Sequence, residues 1–148
     1  MSAPLVPDDF DVPVELVTHR FRLEPLGPEH NARDHDAWMS SIAHIRGTPG
    51  FPDGSWPNEM SAEQNLADLV RHARAFVARR GVTYSVLDGD EVIGCVYLYP
   101  AKDGVHDVVA QSWVRASHAE LDVALWQTVS SWLAEAWPFK RPAYDPRG

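Results

Sequence analysis

The stretch from Asp107 to Trp137, DVVAQSWVRASHAELDVALWQTVSSWLAEAW, decides the fold, because it holds a buried strand that runs directly into an amphipathic helix. Over residues 108–114 neither alternating set of side chains is strongly polar, which predicts a central strand covered on both faces. Apolar residues then recur every three or four positions from Leu121 to Ala136, which predicts a helix with one face against the sheet. Ser117 and Glu120 have the S-x-x-E spacing of a capping box, so we expect the helix to begin there.

The composition is that of one folded domain with an acidic surface. The chain has 148 residues, of which 45% are hydrophobic, and a formal net charge of -8. This charge argues against nucleic acid or an anionic membrane as a partner, since both need a basic surface. The single cysteine, Cys95, lies in the apolar run VIGCVYLY, where we expect a buried and unreactive thiol. The sequence has no signal-peptide pattern and no apolar run of membrane length, so the expected compartment is the cytoplasm.

The first half of the chain reads as an arm, a strand and two helices. Residues 1–15 are rich in proline and aspartate, which predicts an extended N-terminal arm ahead of a single domain over residues 16–148. Alternating apolar residues over 16–26 predict a half-buried strand. Residues 29–45 predict a helix with Asp34 on its solvent side. Residues 61–81 predict a second helix, with a Ser61 and Gln64 capping box and with His72 mostly outside.

The loop between these helices, residues 46–60, carries three glycines and three prolines together with Phe51, Trp56 and Met60. Two interpretations stay open: an aromatic lip over a substrate site, or a loop that folds back and closes the core. After the second helix, residues 82–87 and 91–99 flank an Asp-Gly-Asp turn and predict a hairpin. Residues 138–148 hold three prolines, so we expect at most a short strand there.

The predicted order over about Arg20 to Trp137 is strand, two helices, hairpin, central strand and helix, and it resembles the GNAT N-acetyltransferases. The segment YSVLDGDEVIGCVYLYP is similar in character to the second and third strands of that family. The resemblance implies an α/β (α+β) fold, with a mixed, mostly antiparallel sheet and helices on both faces. It also implies that the C-terminal part is shortened after Trp137.

In that family a Q/R-x-x-G-x-G/A loop holds the pyrophosphate of acetyl-CoA, and its three positions fall here on Ala119, Asp122 and Ala124. The resemblance therefore implies that acetyl-CoA is the cofactor, and that it is contacted by Ser112, Trp113, Val114, Arg115, Ala119 and Ala124. The family's glycine is missing, and Glu120 and Asp122 place carboxylates at the helix start. Two like charges near 4 Å cost about 4 kcal/mol at an effective dielectric of roughly 20, so weak or absent coenzyme binding stays open as an alternative.

For the chemistry, the resemblance implies direct attack of an amine on the thioester, with a base that removes the amine proton. Asp107 is the candidate base, with Tyr97 able to orient a water. The alternative is that Asp107 simply begins the strand after a polar turn. We expect no metal site, because the histidines at 30, 35 and 44 lack the helical pair spacing of H-E-x-x-H.

Two functions stay open at this point. The first is an acetyl-CoA-dependent N-acetyltransferase that acts on an unknown small-molecule or peptide amine. The second is a non-catalytic GNAT-like binding or interaction module that has lost coenzyme A. The sheet edge left open by the shortened C-terminal part also favours a homodimer.

Overall fold

The computed structural model describes residues 4–51 and 56–147. Its centre is one sheet of six strands in sequential order, namely β1 (Leu16–Val17), β2 (Arg22–Pro25), β3 (Val82–Asp88), β4 (Glu91–Tyr99), β5 (Val108–Val114) and β6 (Pro142–Tyr144). Each neighbouring pair is antiparallel except β5 and β6, which are parallel. The predicted mixed, mostly antiparallel sheet is confirmed, and β5 pairs on both sides as its apolar pattern predicted.

The helices cover both faces of this sheet, as predicted. The helices α1 (Asn31–Met39), α2 (Ile42–Arg46) and α3 (Ala62–Val77) pack on one face, where Trp38, Ile45 and Leu69 share a core with Trp113. The helix α4 (Asp122–Ala136) packs its apolar stripe on the other face. None of the helices in the described part of the chain is long and apolar enough to cross a membrane.

The two predicted N-terminal helices differ in how well the sequence anticipated them. The capping box of α3 is present, because the Ser61 hydroxyl accepts from the Gln64 amide at 3.1 Å and the Gln64 side chain accepts from the Ser61 amide at 3.0 Å. The single helix predicted over residues 29–45 is instead divided into α1 and α2 at Ser40 and Ser41. The prediction that Asp34 faces solvent is wrong, since this residue is only 4% exposed.

The predicted start of the last helix is also wrong. Residues 116–121 form a 3-10 segment, and α4 begins at Asp122 without a side-chain cap. His118 interrupts the segment with non-helical angles of φ -123 and ψ 25. Ser117 bonds to the His118 ring at 3.0 Å instead of capping a helix. The S-x-x-E spacing therefore does not form a capping box at this position.

The described part of the predicted arm, residues 4–15, has no helix or strand but packs on the body of the protein. Leu5 and Val6 are buried in the core that α4 covers. The Leu5 amide donates to the Arg79 carbonyl at 2.7 Å, and the Tyr84 hydroxyl donates to the Pro13 carbonyl at 2.6 Å. The arm therefore belongs to the packed structure.

Candidate functional site

A cavity of about 320 Å³ opens on the face of the sheet that α1 and α3 cover. One side is aromatic and comes from the loop after α2 and from β4, and the other side is polar and comes from α1 and α3. The described lining residues are Leu26, Asp34, Gly50, Phe51, Trp56, Asn65, Asp68, Leu69, Arg71, His72, Tyr97, Tyr99 and Gln111.

The aromatic side is one continuous packed wall. Trp56 lies 5.8 Å from Phe51, 6.2 Å from Tyr97 and 5.5 Å from Trp38 between ring centroids, and Tyr97 stacks on Tyr99 at 6.1 Å. Gln111 donates to the Gly50 carbonyl at 2.9 Å and ties the loop to β5. The rings of this loop close the core, as the second interpretation expects, and they also line the cavity, where a substrate site stays a prediction. Residues 52–55 of the loop lie outside the described part.

Asp34 provides the carboxyl group of the polar side. Its Oδ2 accepts from the Asn65 side chain at 3.1 Å, and Asn65 in turn accepts from the Trp38 indole at 3.1 Å. Burial raises the pKa of Asp34 from 3.8 to about 6, although the bond from Asn65 opposes this shift. Asp34 is therefore a proton acceptor that titrates close to neutral pH.

His72 is the second titratable group that sequence reasoning placed outside the core. Its Nδ1 is 3.1 Å from the Thr83 hydroxyl, and its ring lies 5.8 Å from that of Tyr97. Burial lowers the pKa of His72 below the ordinary value of 6.5, so the ring is neutral at pH 7. Helical spacing could have found both residues, because Asp34 shares a face with Ala37 and Trp38, and His72 follows Leu69 by three positions.

The structure does not bring the two predicted catalytic residues together. Tyr97 lines the cavity, where its hydroxyl accepts from the Trp113 indole at 2.9 Å and burial raises its pKa well above the ordinary range. Asp107 precedes β5 and is not among the lining residues. Its carboxylate accepts from the backbone amides of Lys140 at 2.6 Å and Arg141 at 3.1 Å, so it anchors the chain that leads into β6. A catalytic role for either residue stays a prediction.

The predicted coenzyme contacts centre on Ser112, whose side chain lies on the opposite face from that of Gln111, its neighbour in β5. The Ser112 carbonyl accepts from Arg147 Nη2 at 2.8 Å, and its hydroxyl is 2.5 Å from that of Tyr144. Arg147 Nε also donates to Asp122 Oδ2 at 2.9 Å, at the first residue of α4. The segment after β6 therefore lies between β5 and the start of α4, in what we call the C-terminal groove.

The other predicted coenzyme residues have different surroundings. Trp113 and Val114 are buried in the two cores, one on each face of the sheet. The guanidinium of Arg115 pairs with Asp36 at 3.2 Å and Glu91 at 3.3 Å, so carboxylates already occupy it. In the helical part, Ala119 is exposed and Ala124 is half-buried against the core. The structure thus leaves a binding role for these residues as a prediction.

Comparison with known proteins establishes the fold. Scans against family models and curated sequences find no match. Among solved structures, a ribosomal-protein alanine acetyltransferase from Vibrio fischeri superposes with a TM-score of 0.63 at 11% identity, over 84% of this chain and 69% of that one. The chain has the GNAT acetyltransferase fold.

Two further GNAT-fold structures are similar to the same extent. A protein described as a GNAT-family acetyltransferase from Bordetella pertussis superposes with a TM-score of 0.59 at 19% identity, over 82% of this chain and 71% of that one. The microcin self-immunity acetyltransferase MccE, in complex with acetyl-CoA and AMP, superposes with a TM-score of 0.59 at 7% identity, over 81% and 67%. This chain therefore spans about two thirds of the length of these acetyltransferases.

The residues of the C-terminal groove do not fit the pyrophosphate of a coenzyme. A phosphate accepts hydrogen bonds, whereas the groups here are a carbonyl, a carboxylate and the arginine already bound to both. Asp122 Oδ1 is buried and has no hydrogen-bond partner among the described residues, so the unmet group is also an acceptor. The Asp122 carboxylate at this helix start would repel an anion that approached the helix N-terminus.

Proposed function

We propose that this protein is a GNAT-fold binding module that holds a small organic amine in the cavity beside α3 and does not use acetyl-CoA. The observation that carries the proposal is the position of Arg147, whose side chain is 3% exposed and bonds to Ser112 and Asp122. Ser112 is a position at which the family resemblance implies a coenzyme contact, and Asp122 stands where the family's phosphate-binding loop has its glycine. With this groove closed, we place the small ligand in the cavity on the other face of the sheet.

The cavity suits a cation with an apolar body. Asp34 contributes a buried carboxylate, and a nearby ammonium would favour its charged form. The rings of Trp56 and Tyr97 add apolar area and favourable contacts with a cation. Arg71 is the one lysine or arginine among the described lining residues, and it pairs with Asp68. With His72 neutral, the described lining is therefore negatively charged when Asp34 is ionised.

Isothermal titration with benzylamine, and with benzyl alcohol as a neutral analogue of the same shape, tests this specificity. We expect the amine to bind and the alcohol to bind at least about tenfold more weakly, because a hydrogen bond to a charged group contributes about 1.5–3 kcal/mol. Asp34→Asn should weaken amine binding by roughly 10- to 100-fold for the same reason. Asp88→Asn, an exposed carboxylate at the end of β3, is the matched control and should change nothing.

The affinity for the amine should also fall as the pH drops through about 6, since a protonated Asp34 cannot pair with an ammonium. The charges that face Asp34 are those of His30, His35 and Asp68. An affinity that is independent of pH, or an Asp34→Asn variant that binds benzylamine as tightly as the wild type, would contradict the proposal.

Titration with acetyl-CoA at low salt tests the other half of the proposal. We expect no heat and no thermal shift at millimolar ligand. The side chain of Arg147 fills the groove, and the Asp122 carboxylate would repel the phosphate. Micromolar binding by the wild-type protein would overturn this and favour the enzyme described next.

The second candidate is an acetyl-CoA-dependent N-acetyltransferase, and His72 is the observation that favours it. His72 lines the cavity, which lies on the same sheet as the C-terminal groove. Its neutral imidazole is suited to remove the proton from an amine at pH 7. Asp107 and Tyr97 remain the predicted catalytic residues of this candidate. Release of free thiol from acetyl-CoA in the presence of an amine, lost in His72→Gln, would support it over the binding module.

A further inference from the structure

Each of the three guanidinium nitrogens of Arg147 donates to an acceptor. Its Nε donates to Asp122 Oδ2 at 2.9 Å, its Nη1 to the Asp145 carbonyl at 2.6 Å and its Nη2 to the Ser112 carbonyl at 2.8 Å. A guanidinium is planar and presents its donors in a fixed fork, so acceptors that meet all three nitrogens are specific for that shape.

Two of these acceptors do not belong to the segment that carries the arginine. Ser112 lies in β5 and Asp122 opens α4, so the packing of these two elements fixes their positions. They would remain in place if the arginine side chain were removed. The groove is therefore a site of its own, and Arg147 is the group that fills it.

An aromatic face completes the site. The guanidinium carbon of Arg147 lies 5.8 Å from the centroid of the Tyr144 ring, within the range of a cation–π contact. Tyr144 is held by its hydroxyl 2.5 Å from that of Ser112 and by the edge of Trp126, whose ring centroid is 6.4 Å away. A carboxylate, a carbonyl and a ring face all attract a cation, and Asp122 Oδ1 still has capacity to accept a bond.

We propose that the C-terminal groove is a guanidinium-binding site, occupied in cis by Arg147, and that residues 145–147 act as a latch that closes it. In this proposal the groove favours a cation where the family resemblance implies a phosphate. The inference rests on the proposed function, in which coenzyme A is not used, and it supplies a physical reason for that property. Removal of the latch alone should expose a site for an alkylguanidinium and not for an anion.

Chemical rescue of Arg147→Ala in the full chain tests the proposal. The variant should lose roughly 10 °C in Tm, because the Asp122 carboxylate is left without its buried partner. Ethylguanidinium chloride at low millimolar concentration should restore part of this loss in the variant and leave the wild type unchanged. Ethylammonium chloride carries the same charge without the fork, and it should restore less than about a third as much.

The controls separate a latch from a general effect of charge or salt. Arg141→Ala removes an exposed arginine just before β6 and should show neither the loss nor the rescue. If Arg147→Ala does not fold, a double-mutant cycle between Arg147→Lys and Asp122→Asn replaces it, and additive losses of Tm would then contradict the pairing.

Three results would overturn the proposal: no loss of Tm in Arg147→Ala, equal rescue by the two cations, or micromolar binding of acetyl-CoA by the variant. The last result would show that the latch competes with a coenzyme. The titration of the wild type with acetyl-CoA is read independently, so a failure of guanidinium rescue does not by itself decide the proposed function.

Discussion

The carboxyl group of Asp34 shows how one helix position acquires chemistry from its neighbours. Burial raises its pKa, while the bond from Asn65 and the charges of His30 and His35 oppose the shift. The apolar stripe of residues 29–45 predicted the helix, but the same stripe also turns Asp34 inwards with Ala37 and Trp38. Counting Asp34 with the polar face led to the wrong prediction, because aspartate is seldom buried without a partner.

The pH dependence of stability tests this environment. The folded pKa of Asp34 is raised from 3.8 to about 6, so the native state holds the proton more tightly than the unfolded chain between these values. The resulting contribution is present below about pH 4 and is lost as the pH rises through about 6, a change of about 3 kcal/mol. Asp34→Asn resembles the neutral form, so its free energy of unfolding should exceed that of the wild type by up to about 3 kcal/mol at pH 8.

Urea unfolding between about pH 4 and pH 8 measures this difference. The two proteins should converge near pH 4 and separate progressively between about pH 4 and pH 6, because only the wild type has the carboxyl to ionise. Asp88→Asn should run parallel to the wild type throughout. If the curve of Asp34→Asn also ran parallel to that of the wild type, the pKa of the Asp34 carboxyl would not be raised in the folded protein.

At the scale of elements, Gly94 sets how closely β4 and β5 approach. A Cβ at this position would lie 2.3 Å from the Trp113 carbonyl oxygen and 3.3 Å from Val114 Cα, both of them backbone atoms that cannot turn aside. The hairpin and the central strand could be predicted from alternation and from the Asp-Gly-Asp turn. This close approach could not, because it depends on which strand lies beside Gly94.

Gly94→Ala should therefore lower the free energy of unfolding by about 3 kcal/mol or more, since the two strands must separate to admit a methyl group. Gly47→Ala is the matched control, because the nearest atom to its new Cβ is 3.6 Å away and its φ of -85 suits alanine. That variant should be neutral or slightly stabilising, by about 0.5 kcal/mol. A Gly94→Ala variant as stable as the wild type in thermal unfolding would contradict the strand spacing.

At the scale of the whole molecule, the N-terminal segment completes the core beneath α4. Val6 is 2% exposed and lies in the same cluster as Leu125 and Val129. Arg79 makes two contacts with this segment. Its backbone carbonyl accepts from the Leu5 amide, and its guanidinium donates to the Phe10 carbonyl. The sequence predicted an arm because prolines and aspartates interrupt every periodicity there.

Val6→Ala should lower the free energy of unfolding by about 2 kcal/mol, the size expected when a buried side chain is cut back to leave a cavity. Val14→Ala makes the same change in the same segment at a position that is 64% exposed, and it should cost almost nothing. Urea titrations of the two variants give the comparison. Equal effects would show that the segment is not docked in solution. Sedimentation of the same samples tests the predicted homodimer.

Periodicity and turn chemistry by themselves determined the GNAT-like order of elements, the central strand β5 and the capping box of α3. These are local properties, since the spacing of apolar residues selects a strand or a helix over a few neighbouring positions. Only the tertiary structure decided that Asp34 and His72 share a cavity, that Asp107 anchors the chain before β6 and that Arg147 fills the C-terminal groove. These contacts join residues 11 to 35 positions apart, and such pairings depend on the packing of whole elements, which no local pattern encodes.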